Sequence, residues 1–278
     1  MEYSLERLKE IAQRVRYNTL YMITRAVSGH PGGSLSATDI LVTLYFHTMK
    51  YDINNPSLED RDRFILSKGH ACPALYAIFY ELGIIRKEEL DTLRKPGSRL
   101  QGHPDIKRLP CAEFSSGSLG QGLSFAVGVA LAGKMDKKDY YTFVMIGDGE
   151  SQEGQVWEAA MSARKFKLDN LIGITDRNGL QIDGSTEDVM PIEPLADKWR
   201  AFGWNVIEID GHNFSQIIDA LEMAKKFSGS PTMIIAHTVK GRGISFMENM
   251  VDFHGKAPTS KEWEKIKLEL ELGGELID

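Results

Sequence analysis

Asp148 and Asn178 are the residues whose surroundings most suggest chemistry. Asp148 stands between two glycines in GDGESQEG, at 147–154, and Asn178 closes the run DRN at 176–178. Each follows an apolar run, YYTFVMI and LIGIT, that reads as a buried strand. An Asp carboxylate, an Asn amide oxygen and a nearby backbone carbonyl supply three hard oxygen ligands, which leaves octahedral positions for water and two phosphate oxygens. Gly147 and Gly149 let the backbone approach an anion closely, and the helix beginning beyond them turns its amides and dipole towards it. Alone, GDG reads as a turn with a solvated aspartate. A second oxygen-bearing loop, one helix and one strand later, shifts the reading to a magnesium-diphosphate site.

Histidines are the second set. Of the seven in the chain, His30, His70, His103 and His254 lie in the glycine-containing loops SGHPGG, SKGH, QGHP and FHGKAP. Imidazole donates, accepts and moves protons near neutral pH, so four in such loops are candidates for binding and proton transfer, although any one of them alone is more often a surface or capped side chain. His47, His212 and His237 carry no such motif. Lys240 and Arg242 in KGRG could meet a phosphate, but a solvated basic turn explains them equally well, and Lys256 could reach a diphosphate from its place after His254 and Gly255.

These residues need a scaffold, and the apolar periodicity supplies one. Helices are expected over 4–27, 36–49 (capped by Ser36 with Asp39 three residues on), 72–82, 123–134, 155–166, 195–202 and 214–227. Strands are expected at RFILSKGH, which would deliver His70, and at YYTFVMI, LIGIT, NVIEI and TMIIAHT. Their alternation with helices implies an α/β fold, doubly wound, with a mostly parallel sheet flanked by helices. The glycine-rich segments then gather beyond the carboxyl ends of the strands, where such sheets bind ligands. Without a repeat or long linker, the chain reads as one domain over 1–278, with a helical tail from about residue 259.

A hydrophobic share of 42% is enough for a real core, and a net charge of −6 offers no broad attraction to nucleic acid or an anionic membrane. The charged start has no apolar h-region, so a soluble, cytoplasmic protein is expected. Cys72 and Cys111 lack the paired spacing of a zinc or redox motif and are expected to be free thiols.

From GDG to the closing asparagine and on to IDG, residues 147–184 resemble the thiamine-diphosphate motif of transketolases. SGHPGG, LSKGHACPALYA, QGHP, SGSLGQGLSFAVGVA and FHGKAP resemble further segments of that family in the same order, so the likeness runs from about residue 10 to 258. It implies the thiamine-diphosphate-binding fold, with Asp148, Asn178 and the carbonyl of Leu180 ligating Mg2+, for which Ca2+ or Mn2+ could substitute. It places His70, Gly117, Ser118, Leu119, Gly147, Gly149, Asn178 and Lys256 around the cofactor, with Leu119 near its aminopyrimidine. His30, His103 and His254 would line the substrate channel, and Glu153 would face a subunit interface and communicate with a partner's activating glutamate.

Full-length transketolases resemble this chain followed by two further domains. The resemblance therefore implies an N-terminal subunit of a split transketolase, completed by a C-terminal, pyrimidine-binding subunit in an α2β2 assembly. Its implied reaction moves a two-carbon ketol unit from a ketose phosphate to an aldose phosphate, as in the pentose phosphate pathway. Met1 and the helical tail favour a natural subunit over a truncated chain. The rival readings are the first subunit of a 2-oxo acid dehydrogenase, a deoxyxylulose phosphate synthase, and a non-catalytic module binding a magnesium-phosphate ligand. The histidine set, HGKAP and NGLQIDG favour sugar transfer.

Overall fold

Apolar residues at both parities of the strand sequences require a sheet covered on both faces. In the computed structural model, which describes residues 3–52, 55 and 58–270, the strands are β1 (Arg63–Leu66), β2 (Thr142–Gly147), β3 (Leu171–Arg177), β4 (Leu180–Gln181), β5 (Gly184–Ser185), β6 (Asn205–Asp210) and β7 (Thr232–His237). Five of them form one sheet in the order β1-β2-β3-β7-β6, every pair parallel; β4 and β5 make a two-residue antiparallel hairpin. Register aligns Gly147 with Asp176 across β2 and β3, and Asp176 with Ala236 across β3 and β7.

The helices are α1 (Leu5–Ala26), α2 (Pro31–Thr43), α3 (Cys72–Glu81), α4 (Lys87–Leu90), α5 (Gln121–Met135), α6 (Gly154–Lys165), α7 (Thr186–Val189), α8 (Leu195–Ala201), α9 (Phe214–Lys226) and α10 (Ser260–Glu269). Phe143 and Met145 of β2 pack into a core shared with α1, α2, α3 and α9. Val144 and Ile146 face the opposite way, into a core shared with α5, α6 and α8 that includes Trp199 and Trp204. This is the doubly wound arrangement that the alternation of strands and helices implies. The tail helix α10 opens on a capping box of Thr259 and Glu262, and its Trp263 ring meets Tyr17 and Tyr21 of α1.

Two boundaries differ from the sequence reading: the strand at RFILSKGH stops at Leu66, leaving His70 on the helical turn Gly69–Ala71, and the second helix starts early. α2 begins at Pro31 rather than at a Ser36 cap, because proline suits the first helical position, where no amide partner is needed. Ser36 is buried inside the helix and its hydroxyl donates to Gly33 O and Asp176 Oδ2; Asp39 takes Arg16 and His212 instead of capping. Gly32 fits here because a Cβ would come within 2.9 Å of Phe253 O. The glycines therefore permit close packing inside a helix rather than ending a loop.

α5 is small-sided for a similar reason. A Cβ on Gly122 would lie 2.7 Å from Ser67 Cα, and one on Gly133 would lie 2.7 Å from Tyr140 Cζ. Gly122→Ala should therefore displace Ser67, whose hydroxyl accepts from Gly122 N and donates to Glu150. We expect a loss of about 1–3 kcal/mol, the usual cost of overpacking, measurable by urea denaturation. A change below that range would mean that β1 and α5 separate more easily than their packing implies.

Candidate functional site

The carboxyl ends of β1, β2, β3 and β7 open onto one cavity of about 380 Å3. β2 delivers Asp148, which is 2% exposed. Its Oδ1 accepts from Gly149 N at 2.8 Å, and its Oδ2 from Gly179 N at 2.6 Å and Arg177 Nη1 at 3.2 Å. Burial, reinforced by the nearby Asp176 charge, raises the Asp148 pKa. The loop after β3 adds Asn178, whose Oδ1 accepts from Leu180 N at 3.1 Å, and the carbonyl of Leu180. Gly149 passes so close to β4 that a Cβ would sit 3.1 Å from Gln181 Cβ.

Glu150, buried at 3% exposure, holds the floor of this wall together. Its carboxylate accepts from Gly147 N and Gly120 N at 2.9 Å each and from the Ser67 hydroxyl, so one side chain ties the ends of β1 and β2 to the start of α5. Burial raises its pKa. The second acid of GDGE is thus a structural clamp. Beneath the cavity, Lys68 pairs with Asp176 and donates to Gly33 O at 3.0 Å; Ser36 and Thr238 hydroxyls complete the Asp176 shell.

Lys240 overturns the solvated-turn alternative. It is 2% exposed, and its Nζ donates to Leu180 O at 3.0 Å and lies 3.0 Å from His254 Nδ1. Burial and the Lys68 charge lower its pKa to about 8. Arg242 does turn outward, towards Glu248 at 3.5 Å. Lys256 is exposed, with its Nζ 5.4 Å from the Phe253 ring centre, and is not on the cavity wall. Lys240, rather than Lys256, is the lysine that the structure places on the cavity wall beside His254.

Three histidine rings cluster. His70 stacks on His254 at 5.2 Å, and His30 stands edge-on to both at 5.2 and 5.6 Å. Burial is the main cause lowering each pKa: His30 to about 4, aided by Arg94, His254 to about 3, aided by Lys240, and His70 well below the ordinary value, aided by Lys68. His103, on the far wall, is lowered by burial and Arg94. All four shifts favour the neutral imidazole.

The structure therefore brings His30, His70, His103, Gly117, Leu119, Gly147, Asp148, Gly149, Glu153, Asn178, Leu180 and His254 to one cavity. Ser118 is not on its wall; it lines a shallower groove with Phe114 and Phe125. His212 is also elsewhere: Nδ1 meets Asp39 at 2.8 Å and Nε2 accepts from Val239 N at 2.8 Å, a structural bridge. Cys72 and Cys111 are free. Among the described residues, no three His, Cys, Asp or Glu side chains gather as a metal cluster, and no helix is long and apolar enough to cross a membrane.

Residues 8–275 match the transketolase thiamine diphosphate binding domain. The chain belongs to the transketolase family. It is 49% identical over 267 residues to the 6-deoxy-6-sulfo-D-fructose transketolase subunit of Clostridium sp. (strain MSTE9), covering 96% of this chain and 97% of that one. It is 43% identical to an apulose-4-phosphate transketolase subunit of Phocaeicola vulgatus, covering 94% and 92%. Human transketolase is 42% identical over 97% of this chain, which spans only 43% of that protein. The crystal structure of Campylobacter jejuni transketolase superposes with a TM-score of 0.91 at 35% identity, over 96% of this chain and 43% of the other. The chain is thus similar in extent to transketolase subunits and to the N-terminal portion of full-length transketolases. It carries the family's thiamine-diphosphate-binding domain and fold.

Proposed function

We propose that this chain is the diphosphate-binding subunit of a split transketolase, transferring a two-carbon ketol unit between sugar phosphates or sugar sulfonates. The observation that carries this reading is the composition of one cavity: Asp148, Asn178 and Leu180 on one wall, with Lys68, Lys240 and four histidines around them. Thiamine diphosphate would supply the electron sink for carbon–carbon cleavage. The residues fit such a group. Lys240 already places a cation on Leu180 O, beside Asp148 and Asn178 on the same wall, and these oxygens would suit Mg2+. Lys68 and Lys240 would balance a diphosphate, and Leu119 offers an apolar contact for the ring.

In the neutral form that their lowered pKa values favour, the histidines can donate to carbonyl and hydroxyl oxygens or accept a proton from a hydroxyl without first losing one. Glu153 is exposed at the cavity rim, as a residue shared with another chain would be. Phe125 on α5 and Met161 on α6 are exposed at 39% and 57%. We assign this face to the pyrimidine-binding partner, within an α2β2 assembly acting in the cytoplasm. The subunit wording in the names of two relatives of similar length supports the split arrangement.

The test is a ketol-transfer assay of the chain with its partner, thiamine diphosphate and Mg2+. Xylulose phosphate and 6-deoxy-6-sulfo-D-fructose serve as donors, and ribose phosphate and glyceraldehyde phosphate as acceptors. Transfer from either donor supports the reading, and their ratio assigns the substrate. Release of carbon dioxide from pyruvate without ketol transfer would overturn it.

A further inference from the structure

Arg94 is absent from every motif above, yet it stands between two of the cavity's histidines. Its backbone is in the left-handed region, φ 59°, inside a turn closed by Arg94 N donating to Leu100 O at 2.8 Å. That conformation is disfavoured for a residue with a Cβ, and here it accompanies a side chain turned inward. Nη1 donates to Ser28 Oγ at 3.0 Å; Nη2 lies 3.2 Å from His30 Nδ1 and 3.5 Å from Gly102 O, immediately before His103. Gly102 leaves the room this requires, since a Cβ would come within 3.1 Å of the guanidinium carbon. Among the described residues no carboxylate lies within ion-pair distance of Arg94.

Guanidinium has donors and no acceptor, so the nitrogen it addresses on His30 must be the lone-pair nitrogen. We propose that Arg94 is a positioning residue that fixes His30 as the neutral tautomer protonated on Nε2, and clamps the His30 and His103 loops at one spacing. His30 then presents an N–H donor to the cavity, suited to a substrate oxygen. The role given to that donor rests on the ketol-transfer reading; the tautomer itself does not. His70, His103, Lys240 and His254 also face His30, so its protonation depends on all of them as well as on Arg94.

The experiment is long-range 1H–15N spectroscopy of histidine ring nitrogens in the full chain, with His30→Gln to identify the His30 signals. We expect a single Nε2-protonated neutral form from pH 8 down to about pH 5, given a pKa of about 4. In Arg94→Met the signals should report exchanging tautomers, and the pKa should rise by about one unit, a tenfold gain in proton affinity. Arg94→Lys should keep the tautomer while shifting the Nδ1 resonance. His212, held by Asp39 and Val239 N away from this cavity, is the internal control and should not move.

A His30 spectrum in Arg94→Met that superimposes on the wild type would overturn the assignment. If Arg94→Met does not fold, Arg94→Lys decides: a His30 spectrum identical to wild type overturns it equally. The readout needs neither cofactor nor substrate. Loss of ketol transfer in wild-type protein would overturn the proposed reaction and leave the tautomer assignment standing.

Discussion

Asp176→Ala is expected to lower stability by about 3–5 kcal/mol, the cost of removing one partner from a buried ion pair. Asp176 is fully buried, and its carboxylate takes Lys68, the Ser36 hydroxyl at 2.6 Å and the Thr238 hydroxyl. Truncation leaves Lys68 buried with Gly33 O as its remaining acceptor at 3.0 Å. Burial by itself would raise the Asp176 pKa, but the Lys68 charge and the three donors together hold it below the ordinary value. A depressed carboxylate pKa stabilises the fold above the unfolded value, near 3.9, and that stability is lost as pH falls through the folded value. Wild-type protein should therefore show an acid limb below about pH 4 that is shallower in the variant. Urea denaturation from pH 3 to 7 measures both effects, and a loss below about 1 kcal/mol would show that Lys68 finds other partners. Adding Lys68→Met should restore part of the loss, because an apolar side chain leaves no buried charge unpaired.

The contrast between residues legible and illegible in the sequence is physical. YYTFVMI and TMIIAHT announce buried parallel strands because both faces must be apolar, and GDG and DRN announce their loops through glycine and oxygen-bearing side chains. Lys240 is ambiguous in sequence because one lysine in KGRG has the same composition whether it points to water or inward; the structure decides by burying it against Leu180 O and His254. Glu150 is silent there because the amides it binds belong to Gly120 and Gly147, and nothing local marks a carboxylate as their acceptor. Arg94 lies 64 positions from His30, and its inward course depends on a left-handed turn that no arginine signals. α2 starts earlier than its composition suggests: glycine and proline usually form loops, whereas Pro31 starts this helix and Gly32 admits the backbone of Phe253.

Asp148→Ala should behave as the inverse of Asp176→Ala, although the two aspartates are neighbours at the ends of β2 and β3. The Asp148 pKa is raised, not lowered, so its ionised form is disfavoured in the fold and that contribution to stability falls as pH rises through the folded value. Removing it orphans no cation: Arg177 keeps Glu193 at 3.0 Å and Glu187 at 3.4 Å. Gly149 N and Gly179 N lose their acceptor, but both glycines are only partly buried, so water can replace it. We expect a stability change within about 1 kcal/mol, against several for Asp176→Ala. Ligand response should reverse that order. Saturating thiamine diphosphate with Mg2+ at a hundredfold excess over Kd should stabilise the wild type by about 2.7 kcal/mol, and Asp148→Ala should show almost none of this gain. Thermal melts with each ligand alone and both together separate the contributions, since loss of a carboxylate ligand removes the Mg2+-dependent part. An Asp148→Ala protein that retained the full Mg2+-dependent gain would exclude this aspartate from the metal site and move the oxygen set elsewhere on the cavity wall. If instead it unfolded as readily as Asp176→Ala, the carboxylate would be a structural clamp like Glu150, and its exposure to the cavity would have no bearing on the cofactor.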